Sequence, residues 1–96
     1  FEVVVVNDGG VSLNLALFQA CLNLSVIDQE NAGPASARNT GASHAKGQFL
    51  VFTDDDCAML PNYLNVLESH CSEQRLIGGK TLNALPHNLF STASQI

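Results

Sequence analysis

A chain of 96 residues, 46% hydrophobic and 14% charged, has room for one small domain or a piece of a larger one, and its composition excludes a disordered or collagenous segment. A net charge of −5, with basic residues scattered at Arg38, Lys46, Arg75 and Lys80, leaves no cationic stripe for releasing counterions from a nucleic acid. No apolar run approaches the roughly 20 residues of a membrane span, and the N-terminus lacks a signal peptide's basic flank and cleavage site, so a soluble, cytoplasmic segment is expected.

The chain opens at Phe1 without an initiating Met, which reads as a cut end, and Glu2 to Val6 runs on as a β-branched stretch. Such a run predicts a strand buried on both faces, as in a parallel sheet. It stops at "NDGG", Asn7 to Gly10, a strong turn signal. From Ser12 the apolar positions Leu13, Ala16, Leu17, Ala20, Cys21 and Leu24 recur at helical steps, predicting an amphipathic helix capped by Ser12. "SVID", Ser25 to Asp28, is a short strand candidate, and "ENAGP" turns the chain again.

The stretch "ASARNTGASHAKG" puts Ala37, Gly41 and Ala45 on one helical face, with Gly47 where a terminator belongs. A face of small side chains permits close packing on a sheet. "QFLVFT", Gln48 to Thr53, alternates Phe49, Val51 and Thr53 against Leu50 and Phe52 and predicts another strand. Pro61 suits a first helical position, and Leu60, Leu64, Leu67 and Cys71 mark that helix's buried face. "RLIGGKT", Arg75 to Thr81, is a further strand candidate, and "NLFSTASQI" near the end has helix-compatible spacing. Strands alternating with helices predict an α/β fold with a mostly parallel sheet and right-handed crossovers.

Cys21, Cys57 and Cys71 lack paired C-x-x-C spacing, so reduced, mostly buried thiols are expected. His44, His70 and His87 lie in no metal or triad context and read as structural or surface residues.

In an open α/β sheet, ligands bind beyond the carboxyl ends of the strands. Both "NDGG" and "TDDDC" follow predicted strands, so Asp8 and the aspartate run Asp54, Asp55 and Asp56 are site candidates. Along an extended backbone, residues i and i+2 share a side, so Asp54 and Asp56 converge while Asp55 points elsewhere. Paired carboxylates suit a hard cation such as Mg²⁺ or Mn²⁺, and Mg²⁺ typically adds substrate phosphate oxygens to one or two carboxylates. The competing readings are a solvated acidic turn or a helix N-terminus, and for Arg38 a surface cation.

Together "VVVVNDGG", "ENAGPASARNTGASHAKGQFLVFTDDDCAMLPNYL" and "IGGKTLNALPHNLFSTASQ" resemble the nucleotide-sugar-binding half of an inverting family 2 glycosyltransferase, over Glu2 to about Gln95. The resemblance implies a partial GT-A fold, a Rossmann-like three-layer sandwich with flanking helices. It puts Asp8 against the nucleotide base, in a turn where Asn7 replaces the first acid of the family's Asp-Asp-Gly-Ser. Arg38 matches the family's Ala-Arg-Asn-x-Gly motif and would lie beside the nucleotide. Asp54 and Asp56 match the ends of its D-x-D motif: Asp54 would meet the ribose or the metal's water shell, Asp55 belongs with the nucleotide-sugar contacts, and Asp56 would ligate Mn²⁺ or Mg²⁺. Cys57 stands where many members carry a further acid.

The resemblance also implies a UDP- or GDP-sugar donor and transfer with inversion to an acceptor glycan, lipid or protein, with membrane association open to the full-length protein. The family's base lies beyond Ile96, and its first strand, which neighbours Glu2 to Val6, precedes Phe1. These 96 residues alone are therefore expected to be inactive and to expose strand edges through which copies could pair. Two alternatives stand beside this: a non-catalytic α/β piece binding at most a metal or nucleotide, and a haloacid-dehalogenase-like phosphatase, which expects Gly-Thr where this chain has Cys57 and Ala58.

Overall fold

A computed structural model describes residues 1–72, 76–79 and 82, and the chain divides into two compact units, Phe1–Cys57 and Ala58–Ile96. In the first unit the β-branched run forms strand β1 (Val3–Asp8), which pairs in parallel with β2 (Leu24–Gln29). The register runs from Val3 opposite Leu24 to Asp8 opposite Gln29, so both strands end on the same side of the sheet. The "SVID" segment is therefore a strand, one residue longer at each end than expected.

The crossover holds α1 (Ala16–Gln19), far shorter than the helix expected from Ser12. Ser12 does not cap it, because the helix starts only at Ala16, with Leu15 at the N-cap; the Ser12 Oγ donates to the Asp28 carboxylate at 2.9 Å. Asn14 Oδ1 accepts the Ala16 N–H instead, at 3.2 Å. The apolar face is also uncovered, with Leu17 86% exposed, so little tertiary packing sustains further turns.

Helix α2 (Pro34–His44) has Pro34 in its first turn and Gly33 at its N-cap with φ of 92°, a left-handed geometry that glycine adopts without steric cost. It ends three residues before Gly47, when the chain becomes extended at Ala45. The small-residue face holds at Gly41, where an added Cβ would sit 3.3 Å from Val6 Cγ2, so the helix backbone lies close on β1, whereas Ala45 lies past the helix end. Carboxylates tie the two elements together at both ends. Glu2 accepts the N–H groups of Lys46 and Gly47 past the end of α2, and Asp8 accepts the N–H groups of Ala32 and Gly33 at its start. The match is dimensional too, because six strand residues span about 20 Å and eleven helical residues about 17 Å. Replacing Glu2 with alanine leaves both lower N–H groups without that acceptor, and the urea midpoint is expected to fall by the equivalent of about 1 kcal/mol; an unchanged midpoint would show that water replaces the carboxylate fully.

Gln48 to Thr53 is not a strand. The chain bends over Gly47 to Phe49, and Leu50 to Thr53 runs on unpaired, since the sheet of the described residues consists of β1 and β2 alone. Alternating side chains fit a pleated surface, but a ladder also needs a neighbouring edge to receive its N–H and C=O groups.

In the second unit, α3 (Tyr63–His70) follows a turn at Pro61 and Asn62, with Asn62 as N-cap, so Pro61 lies outside the helix. Leu64, Leu67 and Cys71 are half-buried as expected, whereas Leu60, before the turn, is 72% exposed. Leu76 to Gly79 carries no ladder, and the rest of the strand expected at Arg75 to Thr81 lies outside the described residues, as does the helix-compatible tail. No side chain of the described residues is fully buried, and Cys21 and Cys57 are exposed, which corrects the expectation of mostly buried thiols. No described helix is long and apolar enough to cross a membrane.

Candidate functional site

Because β1 and β2 are parallel, their last residues present polar side chains at one end of the sheet. Asp8 ends β1 opposite Gln29, whose Nε2 donates to its carboxylate at 2.7 Å, and the Ala32 and Gly33 N–H groups donate at 2.9 Å each. The Ala32 N–H, then the Gln29 amide, hold the Asp8 carboxyl below its ordinary pKa; burial opposes them, and the Gly33 N–H adds a weaker lowering effect than burial takes away. Asp8 thus stays ionised while it binds the loop that leads into α2.

One register step back, Asn7 faces Asp28. Asn7 Nδ2 donates to Asp28 Oδ1 at 2.8 Å and to the Val11 carbonyl at 3.0 Å, while Ser12 Oγ donates to Asp28 Oδ2 at 2.9 Å. The intervening turn uses Gly9 and Gly10 at φ of 91° and 106°. A Cβ on Gly9 would meet the Asn31 Cβ at 2.9 Å, so the turn runs hard against the β2–α2 loop.

Arg38 projects from α2 to Asp54, Nη2 to Oδ1 at 2.8 Å, with the side chains 50% and 62% exposed. The aspartates themselves sit in a turn, where the Cys57 N–H donates to the Asp54 carbonyl at 3.2 Å. The alternation of an extended strand therefore does not govern their directions. Asp56 accepts only a weak bond from the Cys57 thiol at 3.6 Å among the described residues, and Asp54 is engaged by Arg38. Helix α2 links the two acidic motifs, bound to Asp8 at its N-terminal end and to Asp54 through Arg38 a turn later.

The carboxylates of Asp54, Asp55 and Asp56 are exposed, hard oxygen donors, the type that Mg²⁺ and Mn²⁺ take. The described residues hold no group of three or more His, Cys, Asp or Glu able to cage an ion. The fit is to a cation held by one or two carboxylates and completed by substrate oxygens. Sequence reasoning overlooked Asp28, Ser12 and Gln29. The position of Asp28 at the end of a predicted strand was visible, but its pairing with Asn7 depends on the register.

Fold and site define an α/β protein with a cluster of polar side chains at the carboxyl ends of two parallel strands. Residues 1–83 match the family described as Glycosyl transferase family 2, and the chain belongs to that family. An uncharacterized glycosyltransferase of Rickettsia bellii is 33% identical over 105 residues, covering 95% of this chain and 15% of that protein. Glycosyltransferase GlyA of Streptococcus pneumoniae is 37% identical over 73 residues, 69% of this chain and 10% of its own. Poly(ribitol-phosphate) beta-N-acetylglucosaminyltransferase TarS of Staphylococcus aureus is 30% identical over 113 residues, 100% of this chain and 19% of its own. The chain thus spans between 10% and 19% of the length of these relatives. No solved structure matches it.

Proposed function

We propose that this chain forms the donor-binding part of a cytoplasmic, metal-dependent, inverting glycosyltransferase. Its ligand is a UDP- or GDP-sugar with Mn²⁺ or Mg²⁺, and the acceptor of the whole protein is a hydroxyl on a glycan, lipid or protein. The observation that carries this reading is the double attachment of α2, which fixes the Asp8 turn and the aspartate turn to one rigid element.

Asp8 faces the base, Arg38 lies beside the nucleotide, Asp54 meets the ribose or the cation's water shell, Asp55 contacts the nucleotide sugar, and Asp56 ligates the cation. When bound, the cation stabilises charge developing on the departing diphosphate, a contribution generally of several kcal/mol. Arg38 offsets the charge of Asp54, which lowers repulsion within the aspartate run, and Asp56 carries only the weak Cys57 thiol bond among the described residues. None of these roles removes the acceptor's proton, so the 96 residues alone bind donor without turning it over.

Titration of the chain with UDP and with GDP in the presence of Mn²⁺ tests the reading through Arg38→Ala. Exposed ion pairs contribute only about 0–1 kcal/mol to stability, so melting should barely move. Nucleotide affinity should fall about tenfold, the equivalent of ~1.4 kcal/mol. Equal affinity in parent and variant, or binding of neither nucleotide by the parent, would refute it.

A further inference from the structure

We propose that Asp28 is a positioning residue for the nucleotide-binding turn, acting through Asn7 and Ser12, and that Asn7 and Asp28 work as a matched amide–carboxylate pair. The inference rests on the donor-binding reading above and concerns a residue outside its contact set. Three observations place Asp28 in this role. It lies opposite Asn7 in the parallel register, it accepts from Asn7 on one oxygen and from Ser12 on the other, and both partners flank the Gly9–Gly10 turn. The Asn7 amide also holds the Val11 carbonyl, so both ends of the turn are pinned to the end of β2.

The chemistry of this arrangement calls for one amide and one carboxylate. The Asn7 amide supplies both donors used here, one to Asp28 and one to Val11. An ionised aspartate at position 7 has no donor, and it would set a second carboxylate at hydrogen-bond distance from Asp28. The departure at Asn7 from the family's acid therefore has a local cause: the carboxylate of this pair sits on β2 instead. Exchanging the two residues restores an amide–carboxylate bond in the reverse direction, with Ser12 free to donate to the new amide oxygen. The Val11 carbonyl alone loses its donor.

Four versions of the 96-residue chain decide the matter: the parent, Asn7→Asp, Asp28→Asn, and the double exchange, each melted without ligand and titrated with Mn²⁺–UDP and Mn²⁺–GDP at neutral pH. Asn7→Asp, although it installs the family's residue, is expected to melt lower and to bind the preferred nucleotide about tenfold or more weakly. Asp28→Asn keeps a neutral amide–amide bond and should lose about threefold or less. The double exchange should recover affinity to within about threefold of the parent, although it contains the damaging substitution. Additive effects, or a harmless Asn7→Asp, would overturn the pairing. Coupled melting with unchanged nucleotide affinity would make the pair structural only and overturn the positioning role. A parent that binds neither nucleotide would refute the donor reading, and the positioning role with it, while coupled melting would still show the pair itself to be real.

Discussion

Replacing Asp56 with alanine is expected to remove the cation dependence of nucleotide binding and to weaken binding in Mn²⁺ by about a hundredfold or more, the scale on which losing an anchor of a metal site is felt. The folded chain should hardly notice. Asp56 is exposed, and its one described contact is the 3.6 Å thiol bond from Cys57. Surface substitutions of this kind stay within about 0.5 kcal/mol, or about 3 °C in melting temperature for a domain of this size. The combination separates a ligand site from a solvated acidic turn: in the second case neither quantity changes.

Asp8 should behave in the opposite way, with loss of stability preceding any question of binding. Its carboxylate satisfies the Gln29 amide and the Ala32 and Gly33 N–H groups, and Asp8→Asn would turn an amide donor toward some of those donors. The pH dependence follows from the lowered pKa. With the folded value depressed, the unfolded chain binds the proton more readily, so the stabilisation is complete above the unfolded pKa and is lost as pH falls through the folded one. The melting difference between parent and Asp8→Asn should therefore be full at neutral pH and shrink below the ordinary aspartate range. A gap that stays constant into acid would show that the charge of Asp8 is not what holds the β2–α2 loop.

What could be read from the sequence follows the reach of each signal. The run Val3 to Val6 and the small residues Ala37 and Gly41 are local patterns whose outcome is decided by neighbours a few residues away, and they became a strand and a helix as expected, although β1 is half-buried where burial on both faces was expected and Ala45 falls outside the helix. Ser12 failed as a cap because the helix starts at Ala16, and its hydroxyl instead holds a carboxylate sixteen residues further on, a partner no local pattern shows. Gln48 to Thr53 failed as a strand because alternation shows which surface the side chains suit, not which edge accepts the backbone. At the site, the same limit separates residue type from partner. Asp8, Arg38 and the aspartate run could be singled out as candidates, whereas the Arg38–Asp54 ion pair, the turn at Asp54 to Cys57 and the register that joins Asn7 to Asp28 required the fold.

The central claim is that the α2-linked acidic turns make one site for a nucleoside diphosphate and a divalent cation. Melting the chain in Mn²⁺ alone and in Mn²⁺ with UDP or GDP tests it most directly. One of the two nucleotides, at about 100 times its dissociation constant, should add ~2.7 kcal/mol and raise the melting temperature by about 10 °C or more, with Asp56→Ala showing no such rise. Identical melting curves with and without both nucleotides, in parent and variant alike, would contradict it.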